Sequence, residues 1–187
     1  MCSVNLRVLT RQDAVKQSPY PRMIISMTLN QDTCNKHVKD WIERFNGIVG
    51  DSATQPAAPE LLFLEDSFWR DTLGLSWRLQ TILGDKEIST AIVNCAEKVG
   101  LGPISLDDRA SLPQVVSRAG KEAIEAFIKF ETKNTRGRGI LRLAKTKCGG
   151  INGLQWRAWT FFTAADSIKG HEEKIGRNRP TGQSFSR

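Results

Sequence analysis

Apolar residues recur along this chain with two different periods. Val38, Trp41, Ile42, Phe45 and Val49 fall on one face of a helix that Asp32 or Thr33 can cap and Gly50 ends. Residues 63–83 carry Trp69, Leu73 and Trp77 at intervals of four, which reads as a second helix weakened in the middle by Gly74. Asp85 opens a third, with Ile88, Ala91, Ile92, Cys95 and Val99 inward, and Gly100-Leu101-Gly102-Pro103 stops it. The most regular stripe runs through residues 112–131. There Val115, Val116, Ala119, Ala123, Ile124, Phe127 and Ile128 oppose Arg118, Lys121, Glu122, Glu125 and Lys129.

The period of two appears only near the N-terminus, at Val4, Leu6, Val8 and at Met23, Ile25, Met27, Leu29, separated by Ser18-Pro19-Tyr20-Pro21. It predicts a short two-stranded β-ribbon. Beyond Lys133 the pattern loses regularity. Arg136-Gly137-Arg138-Gly139 and Cys148-Gly149-Gly150 read as flexible joints, and residues 154–168, with Trp156, Trp159, Phe161 and Phe162, as a last helix. The expected fold is mostly α: about five packed helices, possessing that N-terminal ribbon, in one globular domain over residues 1–170. Residues 171–187, poor in apolar side chains, are expected to form a disordered basic tail.

Charge sharpens this picture. The net charge is +7, yet residues 133–187 hold twelve Lys or Arg against Asp166, Glu172 and Glu173, so the preceding body is close to neutral. A cationic end on a neutral body predicts an anionic partner. Lys133, Arg136, Arg138, Arg142, Lys145 and Lys147 on a glycine-hinged segment would follow a phosphate backbone, with Arg157 beside them. Trp156 and Trp159 read first as core and second as stacking platforms for unpaired bases. The expectation is a non-enzymatic binder of RNA or single-stranded nucleic acid. The alternative is a self-associating structural or host-interaction protein of viral coat, matrix or accessory type, in either case open to homo-oligomer formation.

Other chemistries find little support. Cys34 and His37 have a CxxH spacing, but further zinc ligands are missing nearby, so neither metal nor cofactor is expected. His37 and His171 are the only histidines, and no Gly-x-Ser-x-Gly elbow, GxxxxGK[ST] loop or GxGxxG occurs. No catalytic residue is assigned. Asp107, Asp108, Glu131 and Lys133 supply the residue types of a metal-dependent nuclease, a third reading. The longest apolar run, Leu61-Leu62-Phe63-Leu64, is far short of the roughly 20 residues of a membrane span. Four well-separated cysteines and the lack of an apolar leader at the N-terminus suggest an intracellular location, cytoplasmic or nuclear.

Overall fold

The computed structural model of the chain describes residues 29–50, 59–147 and 154–179. The expected N-terminal ribbon and residues 180–187 of the tail lie outside them; residues 171–179 are exposed coil with one short 3-10 turn. Among the described residues there are two α-helices, α1 (Gln31–Gly50) and α2 (Asp85–Val99), and seven strands: β1 (Phe63–Thr72), β2 (Leu79–Leu83), β3 (Ser105–Leu106), β4 (Gln114–Arg118), β5 (Lys121–Glu131), β6 (Thr135–Lys147) and β7 (Leu154–Ile168). The fold is α+β, which corrects the expectation of a mostly α bundle. Three of the expected helices are β structure.

The two helices form where the apolar period is helical and a glycine ends the run. Asn30, rather than Asp32 or Thr33, caps α1: its Oδ1 accepts from the Thr33 backbone N–H at 2.8 Å. Cys34, Val38, Trp41, Ile42 and Phe45 are the buried side of α1. α2 ends at Gly100, whose φ of 61° lets the Leu101 N–H return to the Ala96 carbonyl at 2.9 Å.

The stripe at 112–131 fails as a helix because Ala119 (φ 50°) and Gly120 (φ 76°) turn the chain, and β4 pairs antiparallel with β5 from Gln114↔Glu125 to Arg118↔Lys121. Likewise Leu73 and Trp77 occupy left-handed positions in the turn between β1 and β2 instead of joining Trp69 on a helix face. The joint expected at Arg136–Gly139 lies in the long strand β6 and the expected last helix is β7, the two antiparallel along their length with register shifts near Arg136 and Arg142; Cys148-Gly149-Gly150 lies outside the described residues. The sheet order is β2-β1-β7-β6-β5-β3 with β4 also on β5, and only β1 and β7 are parallel.

One face of the sheet is covered by both helices. Trp41, Phe45, Phe63 and Phe161 meet there with ring centroids 5.2–6.2 Å apart, and Trp69, Ile124, Ile128, Leu141 and Leu143 complete the floor. Truncating one such ring costs about 3–5 kcal/mol, so this cluster dominates stability. Polar ties close its rim: Trp41 Nε1 donates to the Leu62 carbonyl, and the Asn46 side chain exchanges two 2.9 Å hydrogen bonds with the Ile104 backbone. A void of about 10 Å³ remains between α1 and α2, too small for a ligand. The opposite face is left open.

Candidate functional site

Strand alternation sorts the cationic segment. In β6, Arg136, Arg138, Ile140 and Arg142 share the open face with Lys129 and Glu131 of β5, while Gly137 and Gly139 lie against the helix-covered side. A Cβ on Gly137 would lie 2.2 Å from the Phe130 ring, and one on Gly139 would lie 2.2 Å from the Phe162 carbonyl. The Arg-Gly-Arg-Gly run is thus a strand with small residues under Phe130 and Ile128, not a hinge.

Where β5 turns into β6, the open face deepens into a cleft of about 460 Å³. β3 and the loop after it form one wall, because Ser105 pairs with Lys129 and the Asp107 N–H donates to the Phe127 carbonyl at 2.9 Å. Arg109, Lys129, Arg136 and Arg138 line the cleft against Asp107, Asp108, Glu131 and Asp166. Its base is fixed by the Thr132–Thr135 turn: Thr132 Oγ1 accepts from the Thr135 N–H, and the Lys133 N–H donates to the Val99 carbonyl.

The charges are unequally engaged. Lys129 bonds Asp108 at 2.5 Å, Lys169 bonds Glu131 at 2.8 Å, and Arg136 bonds Glu172 at 2.7 Å. Arg138 instead lies between two carboxylates, 3.8 Å from Asp107 and 3.7 Å from Asp166, beyond hydrogen-bond length. Its guanidinium donors are held in place electrostatically without a direct bond to either acid. The Lys129 hydrogen bond holds the Asp108 carboxyl below the usual carboxylate range, and that from Lys169 does the same for Glu131. Both acids stay ionised through neutral pH and are correspondingly weak bases.

The remaining expected site residues disperse. Arg142 lies further along the open face, bonded to the buried Glu125 at 2.7 Å. Lys145 sits over the Trp156 ring at 5.1 Å near α1. Lys133 is exposed in the turn, Lys147 ends β6, and Arg157 is half-buried with its guanidinium 3.4 Å from Gln155. Trp156 is core, and the half-buried Trp159 is overlain by Lys121 at 4.9 Å, so neither offers a free stacking face.

These placements overturn the nucleic-acid reading: the cations are dispersed over strand faces and a turn, and the three open-face arginines of β6, Arg136, Arg138 and Arg142, all have acidic neighbours. The nuclease reading falls with it. Asp107, Asp108 and Glu131 do share the cleft, but each faces a cation, Lys133 is outside the lining, and no cluster of metal-ligating side chains occurs among the described residues. Cys34 is core, with burial pushing its thiol up; burial pushes the His37 imidazole down. Sequence reasoning missed Lys129, Asp166 and Arg109. A spacing of two, shared by Arg136 and Arg138 and by Lys129 and Glu131, was the available signal.

No protein-family model and no curated protein matches this sequence. Among solved structures, the chain is similar to the Kfla4162 protein of Kribbella flavida, at 10% identity and a TM-score of 0.48 over 75% of this chain and 96% of that one. It is similar to an NTF2-like protein of Cytophaga hutchinsonii, at 14% identity and a TM-score of 0.41 over 73% and 99%. A steroid delta-isomerase of Pseudomonas aeruginosa aligns at 11% identity and a TM-score of 0.39 over 72% and 82%. The helical description of this chain is set aside on the two helices and seven strands above, and the RNA-binding and viral readings built on it fall with it.

Proposed function

We propose that this chain is a binding module for a small zwitterionic molecule, taken up in the cleft around Arg138. The observation that carries the reading is the position of Arg138 between Asp107 and Asp166 without a hydrogen bond to either. An incoming carboxylate gains bidentate donors from Arg138. A cationic group on the same molecule is matched by Asp166 or Glu131, so a ligand bearing both signs suits a lining that bears both. The volume of about 460 Å³ lies within the range of small-molecule sites. Binding fits better than proton transfer, since the depressed Asp108 and Glu131 carboxyls are poorly tuned as acids or bases near pH 7.

The test is calorimetric titration with amino acids of increasing charge separation, from glycine to γ-aminobutyrate, beside acetate and methylammonium as single-charge controls. A zwitterion should bind saturably and more tightly than either control. Arg138→Ala should weaken it at least about tenfold, through the loss of the bidentate charge-assisted hydrogen bonds. Equal binding by the variant, or no saturable binding of any zwitterion, would refute the reading.

A further inference from the structure

We infer that the free edge of β2 pairs with the β2 edge of a second copy of this chain, extending the sheet across a two-fold axis at Thr81. The inference is independent of the cleft. β2 is terminal in the sheet order, and among the described residues nothing pairs with its outer edge.

The hydrogen-bond parity of the β1–β2 ladder tells which groups face outward. The Leu73 N–H donates to the Arg78 carbonyl and the Gly84 N–H to the Ser67 carbonyl, so hydrogen-bonded pairs with β1 fall at Arg78, Gln80, Ile82 and Gly84. The residues between them, Leu79, Thr81 and Leu83, therefore aim their backbone N–H and C=O groups away from β1, at the open edge. An antiparallel copy centred on Thr81 sets Thr81 against Thr81 and Leu79 against Leu83. All of these outward groups are then paired.

The side chains agree with that register. Leu79 and Leu83, 64% and 67% exposed, stand two residues either side of Thr81 on the open face, and the two-fold places each beside its counterpart. Charge is complementary as well. Arg78 falls level with Gly84 of the second copy, next to the acidic first turn of its α2, Asp85 and Glu87. None of these three makes an ion pair among the described residues.

Among the described residues the strand also lacks several of the usual guards against edge pairing. Leu79-Gln80-Thr81-Ile82-Leu83 has no charge, no proline and no bulge, whereas β4 at the other end of the sheet carries Arg118 and follows Pro113. Five residues of strand cover much less than the roughly 800 Å² per partner of a stable interface, so the dimer is weak and concentration-dependent.

Sedimentation of the full chain from about 10 µM to 1 mM, with cysteine crosslinking, tests this. The parent should shift from monomer toward dimer. Thr81→Pro and Leu79→Lys should each weaken association at least about tenfold while the circular dichroism spectrum is unchanged. Thr81→Cys should form a disulfide-linked dimer on mild oxidation well above the parent, because hydrogen-bonded antiparallel pairs hold Cα atoms about 5.5 Å apart, within disulfide reach. Leu79→Cys should link to Leu83→Cys in a mixture but not to itself. A parent that stays monomeric at 1 mM, a dimer indifferent to both edge substitutions, or a ladder of larger species would each overturn the two-fold pairing.

Discussion

Asp71 and Thr163 stand opposite each other on the parallel strands β1 and β7, and Thr163 Oγ1 donates to Asp71 Oδ1 at 2.6 Å while accepting from Trp69 Nε1 at 2.8 Å. The fully buried Asp71 carboxylate also accepts from the backbone N–H groups of Gly74, Leu75 and Ser76 and from the Ser76 hydroxyl. One side chain thereby joins the β1–β2 turn, with its left-handed Leu73 and Trp77, to the centre of the sheet.

Asp71→Asn should consequently destabilise the fold by about 2–4 kcal/mol, because an amide presents donors where Ser76 and Leu75 already donate and leaves buried N–H groups unpaired. Thr163→Val should cost less, about 1–2 kcal/mol. Urea melts of the two variants measure both, and equal stability with the parent would show that the carboxylate does not organise the turn.

Glu125 is the buried acid of the open face, with Arg142 at 2.7 Å and Arg118 at 3.3 Å. Removing its closer partner strands a desolvated charge, so Arg142→Met should cost about 2–4 kcal/mol, whereas Arg118→Met, at the more exposed end, should cost under about 1 kcal/mol. The double variant Arg142→Met, Glu125→Leu should recover part of the loss in the same melts.

Gly139→Ala would drive a Cβ into the Phe162 carbonyl at 2.2 Å, where no side chain can move aside. A loss of about 2–3 kcal/mol is expected from that overpacking. Gly47→Ala on α1 meets nothing within 4 Å and should instead be neutral or stabilising by up to about 1 kcal/mol. Thermal melts of the pair read the contrast directly.

How far the sequence spoke can be judged from these elements. α1 and α2 were legible because their apolar period and terminal glycines agree, although the cap of α1 is Asn30 and not the expected Asp32 or Thr33. β5 and β7 were not. Ala123, Ile124, Glu125 and Ala126 are all buried, so β5 lacks the in-out alternation of a one-sided strand, and such a run does not separate helix from strand by period. β7 is further obscured by its register shifts against β6. The cationic run held its strand signal in plain view, Arg and Gly alternating from Arg136 to Gly139. The glycines resemble a hinge until Phe130 and Ile128 are known to lie over them. The cleft's acids Asp107 and Asp108 were noticed as residue types, but only the β3–β5 and β6–β7 pairings bring them and Asp166 toward Arg138.

The surface carboxylates predict the acid limb of stability. Hydrogen bonds from Lys129, Lys169 and Arg136 lower the folded pKa values of Asp108, Glu131 and Glu172 respectively. Depressed folded values mean a contribution fully present above the unfolded values near 4 and lost as pH falls through the folded ones. Melting temperature should hold from pH 7 to about 5 and decline below about 4. The variant Asp108→Asn, Glu131→Gln, Glu172→Gln should flatten that decline, and added salt should shrink the difference between the two proteins.

The most direct test of the cleft as the functional site is an amide NMR titration of the chain with the tightest-binding zwitterion. Saturable shifts should concentrate on Asp107, Lys129, Arg138 and Asp166 and need at least about tenfold more ligand in Arg138→Ala, while Trp41, Phe45 and Ile92 stay still. Shifts centred on α1 and α2, or unchanged in Arg138→Ala, would contradict the assignment of binding to the open face.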